Sequence, residues 1–481
     1  MRHITLFLFA WLPFFSIAQS SWSLPAYSGD EVAEDINLLR EVLIESHPGI
    51  TTYISRSEFD DLFKAVQLDM TVSPKKAYQI VSSLIDGIHD GHTWVLPAER
   101  SIREVLENEK FIPFSIAVSG QKIVVFQDLS GNEVLDAGVE LTSINNINIR
   151  EVVLNLMPYV TADGFNVSGK LAALNEQFWW YLGLHYGFPE QYVISCRTAS
   201  GAIQTVIVDA IPMEERVSAI YELYPKYTEL NEVLNWSFDN QTAYLRIPRF
   251  SGMKLKSFHA NMDIFFNEVS NRGVDELVID IRGNGGGMEG YENILLSYLN
   301  TIPVSRYDAV YMSNPRSSFY RHLDRGGLRW LEDFVYASIE FKKVEEDRWN
   351  RRNRYKRTNF CPDHGYNGKV YIWVDGDVFS GASEFASLAR CYVDGCELIG
   401  LPTCGGQGGH TSGYYYRLIL PNTKLEINVP RVRFDLAISL PRTKGGLQPD
   451  LLIEGNAWEN DNPIAVFRKA LNSRDFVHSE Y

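Results

Sequence analysis

Residues 276–287 read ELVIDIRGNGGG, an apolar strand that ends on Asp280 and Arg282 and runs into a glycine-rich turn. A short run of this kind, without polar alternation, predicts a buried strand. It lies in a region, about 213–454, where further apolar runs at 242–247, 369–374 and 398–400 alternate with helical stretches. That alternation predicts an α/β core. The glycines let backbone N–H groups come close to a bound group, which suits either a phosphate or a developing oxyanion. Gly285, Gly287 and Gly290 formally fit a dinucleotide fingerprint, but Asp280 at the strand end would set negative charge against a pyrophosphate. No Lys-Ser/Thr pair follows, so a phosphate-binding P-loop is excluded.

A chain of 481 residues has room for about two to four domains. Its 45 Lys+Arg against 60 Asp+Glu give a net charge of −15, which argues against nucleic acid as a partner. The five cysteines, Cys196, Cys361, Cys391, Cys396 and Cys404, show neither a CxxC nor a Cys/His zinc spacing. No metal and no cofactor are expected.

At the start, Arg2 and His3 precede an apolar run over 4–17, and Ser16 and Ala18 occupy the small-residue positions of a cleavage site. Residues 1–18 are read as a signal peptide and the protein as exported, periplasmic or secreted. No later segment is long and apolar enough to span a membrane. Asn166, Asn235 and Asn240 stand in Asn-x-Ser/Thr sequons.

Residues 19–108 are read as a helical module. Val32, Ile36, Leu39 and Leu43 mark a helix over 30–46, a second is expected over 56–68, and a third begins after Ser73 and Pro74. The third ends at Asp90-Gly91-His92, delivering His92 into an apolar segment. Residues 109–212 turn β-rich, and GVELTSINNINIREVVLNL from Gly138 resembles a PDZ domain. Residues 213–457 form the core, with an insertion around 313–363, and 458–481 a C-terminal tail. Within the insertion, 342–357 holds eight Lys/Arg and three Asp/Glu. It is read as a solvated surface helix, with a lid that attracts a substrate carboxylate as the alternative.

The segment KVYIWVDGDVFSGASEFASLAR, 369–390, predicts a strand, a turn and a helix opening near Ser380. A serine there is either a plain N-cap or a nucleophile whose developing oxyanion meets the helix N–H groups. GLPTCGGQGG, 400–409, is a second glycine-rich turn.

In this order the three segments resemble the C-terminal processing (tail-specific) serine proteases, relatives of the tricorn protease core. The likeness runs through Asp280-Ile-Arg282-Gly-Asn-Gly-Gly-Gly287, Phe379-Ser380-Gly381-Ala382 with Glu384, and Gly400-x-Pro402-Thr403-x-Gly405. It continues in Leu420-Pro-Asn-Thr423, Gly446-x-x-Pro449-Asp450, His47-Pro48 and Asp90-Gly91-His92-Thr93. The resemblance implies an α+β multidomain fold with a helical module, a PDZ-like module and a crotonase-like αββ core. It implies Ser380 as nucleophile, the Gly381 amide as one oxyanion donor and the turn containing Gly285 and Gly286 as source of the second. Asp280, Arg282 and Glu384 match polar residues around that site.

Many members carry a general-base lysine shortly after the Gly-x-Pro-Thr motif, where this chain has Gly406. Serine needs an adjacent base at neutral pH. Two histidines are candidates, His92 and His410. His92 is favoured, oriented by Asp90 or Glu384, and at an ordinary imidazole pKa of ~6.5 activity would rise with pH around that value. The expectation is an exported serine endopeptidase acting on a peptide or protein, with the PDZ-like module capturing an extended peptide or free C-terminus. The alternatives are a catalytically inactive peptide-binding protein and, third, a nucleotide-binding oxidoreductase; the oligomeric state is left open.

Overall fold

The computed structural model describes residues 26–119, 122–131, 135–198, 200–223, 234–300, 303–323, 329–352, 365–439, 444–453 and 463–472. The expected signal peptide, Cys361 and most of the C-terminal tail lie outside these residues. The alternation read in the core is a six-stranded sheet in the order Asn235–Asp239, Thr242–Arg246, Glu276–Asp280, Lys369–Val374, Glu397–Gly400, Leu451–Leu452. The first pair is antiparallel and the rest are parallel. The run 277–279 is apolar without alternation because both faces are covered. Leu277 and Ile279 pack among helices Leu255–Arg272, Tyr291–Leu299 and Gly381–Tyr392. Val278, on the other face, packs with Ile464 and Phe467 of helix Pro463–Asn472.

The middle region is an antiparallel sheet ordered Ile203–Asp209, Gln191–Arg197, Glu140–Ile144, Lys122–Asp128, Phe114–Ser119. Helix Ser168–Tyr186 reaches the outer strand, where Asn175 Oδ1 accepts the Val118 N–H at 3.2 Å.

The first helix spans Gly29–Ser46, closed by a capping box between Ser28 and Glu31. The second covers only Arg56–Lys64, and the third, Pro74–Asp86, has Ser73 as its cap and Pro74 in its first turn. After it, strand Trp94–Leu96 pairs with Glu426–Val429 of the core rather than with its own module.

The basic stretch departs from expectation. Phe341–Glu345 and Arg348–Arg351 form a β-hairpin, not a helix, extending a sheet that continues through Tyr307–Met312, Val432–Leu436 and Gly409–Ser412. The acidic residues 345–347 fall at its turn, and Arg351 is held by Glu289 at 2.9 Å and Glu340 at 2.5 Å. Residues 353–357 of the expected helix lie outside the described residues. Asn166 is buried, with its amide on the carbonyl of Cys404 at 3.2 Å, so that sequon is closed in the folded chain, whereas Asn235 and Asn240 are exposed.

Candidate active site

The parallel sheet sets the site by stopping two adjacent strands together. Beyond Asp280 the chain enters the glycine turn, and beyond Val374 it turns into the helix opened by Ser380. Asn284 ties the two loops: its backbone carbonyl accepts from Phe379 N–H at 3.2 Å and its side-chain amide donates to Ile247 O at 3.1 Å. Its Oδ1 accepts the Gly286 N–H at 2.9 Å.

Asp280 and Arg282 build the floor under this turn. The buried Asp280 carboxylate accepts from Arg282 at 3.0 and 2.7 Å, from Arg246 at 3.1 Å and from Tyr244 OH at 2.6 Å. Burial would raise its pKa, but Arg246 and Arg282 together hold it down at about 2. The Arg282 guanidinium lies over Trp373 at 3.6 Å. Asp280 and Arg282 thus fix the strand end, and neither is hydrogen-bonded to Ser380.

Ser380 occupies the N-cap position, yet its side chain makes no capping bond. Its backbone sits at φ 52°, ψ −127°, a conformation costly for a residue with a Cβ. The half-buried hydroxyl instead lies 3.2 Å from His92 Nε2. The plain-cap reading is therefore not what this serine does in the fold. Its neighbour Gly381 offers one of the first helix N–H groups, which have no partner within the helix. On the other side, Gly286 N–H is already taken by Asn284, while Gly287 N lies 4.0 Å from where a Gly381 side chain would begin. Gly285 is exposed and has open space beside it.

His92 is buried, stacked on Phe379 at 4.3 Å and on His410 at 5.4 Å between ring centres. Burial first, then the neighbouring His410, lowers its pKa to about 3, with Asp90 opposing. The imidazole is thus neutral across the physiological range and able to take a proton, and the ordinary value near ~6.5 does not apply. Its Nδ1 is buried without a hydrogen-bond partner among the described residues.

Neither acid sits against that nitrogen. Asp90 Oδ1 accepts the backbone N–H of His92 at 3.0 Å and the Thr93 hydroxyl at 2.9 Å, and Oδ2 takes the Thr411 hydroxyl. His47 completes this chain: its Nδ1 accepts from Gly49 N–H, so its Nε2 donates to Thr93 Oγ1 at 2.9 Å. Asp90 thus holds the main chain beside the ring. Glu384 belongs to His410, 3.4 Å away, and accepts from Arg306 at 2.6 Å and Tyr307 OH at 2.7 Å. Burial would raise its pKa, but Arg306 and His410 hold it at about 2. His410 lies behind His92 rather than at Ser380.

At Gly406, where the resemblance places a lysine, a Cβ would stand 2.3 Å from Tyr53 OH, 3.1 Å from Gly409 O and 3.3 Å from Asp163 Cβ, so the position is crowded. Cys404, beside the turn, keeps its proton, since burial pushes its thiol pKa well up. Residues that the sequence did not single out also shape the site, namely Asp163 and Arg306. Among the described residues, no cluster of His, Cys, Asp and Glu could hold a metal ion. A serine hydroxyl 3.2 Å from a neutral imidazole, with the Gly381 amide beside it at the mouth of a helix, is able to attack a carbonyl.

Residues 241–452 match peptidase family S41. No curated protein matches the sequence. Among solved structures, a CPAF mutant is similar at 12% identity, with 89% of this chain and 93% of that one covered and a TM-score of 0.61. Mature CPAF is similar at 13% identity over 88% and 92% of the two chains, TM-score 0.58. Mature CPAF complexed with lactacystin gives 13% identity over 87% and 93%, TM-score 0.56. At such identities the likeness is one of fold.

Proposed function

We propose that this chain, which carries a peptidase family S41 domain over residues 241–452, is a serine endopeptidase working through an acyl-enzyme on Ser380. The observation that carries the proposal is the 3.2 Å separation between His92 Nε2 and a Ser380 hydroxyl that its own helix does not use. His92 takes the hydroxyl proton as Ser380 Oγ adds to the peptide carbonyl carbon. The oxygen that gains the charge is met by Gly381 N–H, with Gly287 as the second donor. Collapse breaks the C–N bond while His92 returns its proton to the leaving amine. Water, deprotonated by the same imidazole, then cleaves the ester and frees Ser380. The core is read as crotonase-like.

Fluorophosphonate labelling tests this directly. Covalent modification should map to Ser380, vanish in Ser380→Ala and fall by orders of magnitude in His92→Ala, with both variants folded. A protein that never labels favours the second reading, a catalytically inactive peptide-binding protein, for which the unpartnered His92 Nδ1 speaks.

Two further parts belong to the proposal. The middle sheet is a PDZ-like module whose peptide adds at strand Ile203–Asp209, since helix Ser168–Tyr186 sits on the opposite edge strand. Ile203 and Ile207 are exposed there, and replacing both with Lys should raise KM for long peptides and spare short ones; equal losses argue against capture. The protein is exported, periplasmic or secreted, with residues 1–18 removed. Intact mass of the material found outside the cytoplasm should begin at Gln19, and a retained Met1 would contradict it.

A further inference from the structure

The 161–165 segment runs between the two halves of the site. Gly164 N–H donates to His89 O at 2.8 Å, Thr161 Oγ1 to Gly91 O at 3.2 Å, and Asp163 N–H to Cys404 O at 3.3 Å. At its centre the Asp163 side chain, 1% exposed, uses both carboxylate oxygens on backbone amides. Oδ1 accepts the Gly91 N–H at 2.9 Å, 72 residues away in sequence, and Oδ2 accepts the Gly406 N–H at 3.0 Å, 243 residues away.

Those amides adjoin the reacting groups. Gly91 directly precedes His92 and lies against the Phe379 ring, where a Cβ would come within 2.6 Å. Gly406 follows Gly405, whose N–H donates to Val378 O at 3.1 Å and which abuts Ser383 in the first turn of the Ser380 helix. From His92 to Ser380 the path is a series of close backbone contacts with one side chain as its link.

We propose that Asp163 is the positioning residue that sets the His92–Ser380 separation, by clamping the amide before His92 to the glycine turn packed on the Ser380 helix. The inference rests on His92 being the base for Ser380. A carboxylate suits the place because two donors converge on it from opposite segments and each oxygen can accept one. Asparagine has the same shape but only one acceptor oxygen, so one amide would face an NH2 group. The glycine turn would then part from the His92 segment, and displacements of about 1 Å at reacting groups can cost ~100-fold in rate.

The test compares fluorophosphonate labelling rates and short-peptide kinetics in four folded proteins: wild type, Asp163→Asn, His92→Ala and the double variant. Asp163→Asn should lower the labelling rate and kcat about 10- to 100-fold with KM nearly unchanged, which a loss of substrate binding would not do. In the His92→Ala background it should cost nothing further, because the clamp acts only through that ring. Wild-type labelling by Asp163→Asn, or a full second loss in the double variant, overturns the proposal and leaves His92 as base. Wild-type labelling by His92→Ala overturns the reading beneath it. Should Asp163→Asn not fold, Asp163→Glu keeps both acceptors but moves them by one methylene. It should label more slowly than wild type, and an unchanged rate would equally overturn the clamp.

Discussion

Gly286 is the point where the glycine turn and the serine loop touch most closely, and replacing it with alanine gives the sharpest test of the site's geometry. The residue has φ +93°, which an L side chain adopts only at a cost of about 1–2 kcal/mol. The new Cβ would stand 2.8 Å from Ser380 Cβ and 2.9 Å from both Gly381 N and Phe379 O. Ordinary contact begins near 3.4 Å, so the serine must retreat by about 0.6 Å. Added to the 3.2 Å from His92 Nε2, that takes the pair to ~3.8 Å, beyond a hydrogen bond. Stability should fall by about 2–4 kcal/mol from strain and overpacking, and kcat by about 10- to 100-fold. Gly285→Ala is the matched control, since that position meets nothing within 4 Å. Urea unfolding and fluorophosphonate labelling read both quantities. Wild-type labelling by Gly286→Ala, or equal damage from Gly285→Ala, would refute the reasoning.

His92 makes the fold sensitive to acid. Its folded pKa of about 3 lies below the ordinary 6.5, so the unfolded chain binds the extra proton and stability is lost as pH falls from ~6.5 towards ~3, by at most ~5 kcal/mol. His92→Gln should therefore unfold at a lower pH than wild type in an acid titration followed by circular dichroism, and an unchanged or higher midpoint would contradict this. Glu384→Gln leaves buried Arg306 with less compensating charge and should cost about 3 kcal/mol in urea unfolding, with a loss below ~1 kcal/mol counting against the pairing.

Much of the core could be read from sequence because its signals are local. The run 277–279 needs burial on both faces, the glycines after Arg282 need a turn, and Ser380 stands where a strand gives way to a helix. The Asp-Gly-His motif points to His92 for the same reason. What could not be read depends on partners far along the chain. Asp163 lies in the featureless stretch Thr-Ala-Asp-Gly-Phe, and nothing near it reveals that its acceptors serve residues 91 and 406. Arg306, which claims Glu384 for the His410 side of the site, is equally plain in sequence. The basic hairpin was hidden because charged residues there follow neither a period of two nor one of 3.6, so composition suggested a solvated helix. The helical module looked separate because its segments are contiguous, yet its last strand is completed by the core.

That last pairing bears on the chain's own safety during synthesis. Strand Trp94–Leu96, two residues past His92, is held by Glu426–Val429, and Asn428 donates to the His92 carbonyl at 2.8 Å. A ribosome releases His92 early, Ser380 much later, and the strand that seats His92 later still. Until then the imidazole has no fixed address, and a half-made chain holds Ser380 without the ring that stands 3.2 Å from it in the fold. Folding order alone leaves the Ser380–His92 pair unformed until most of the chain has been made.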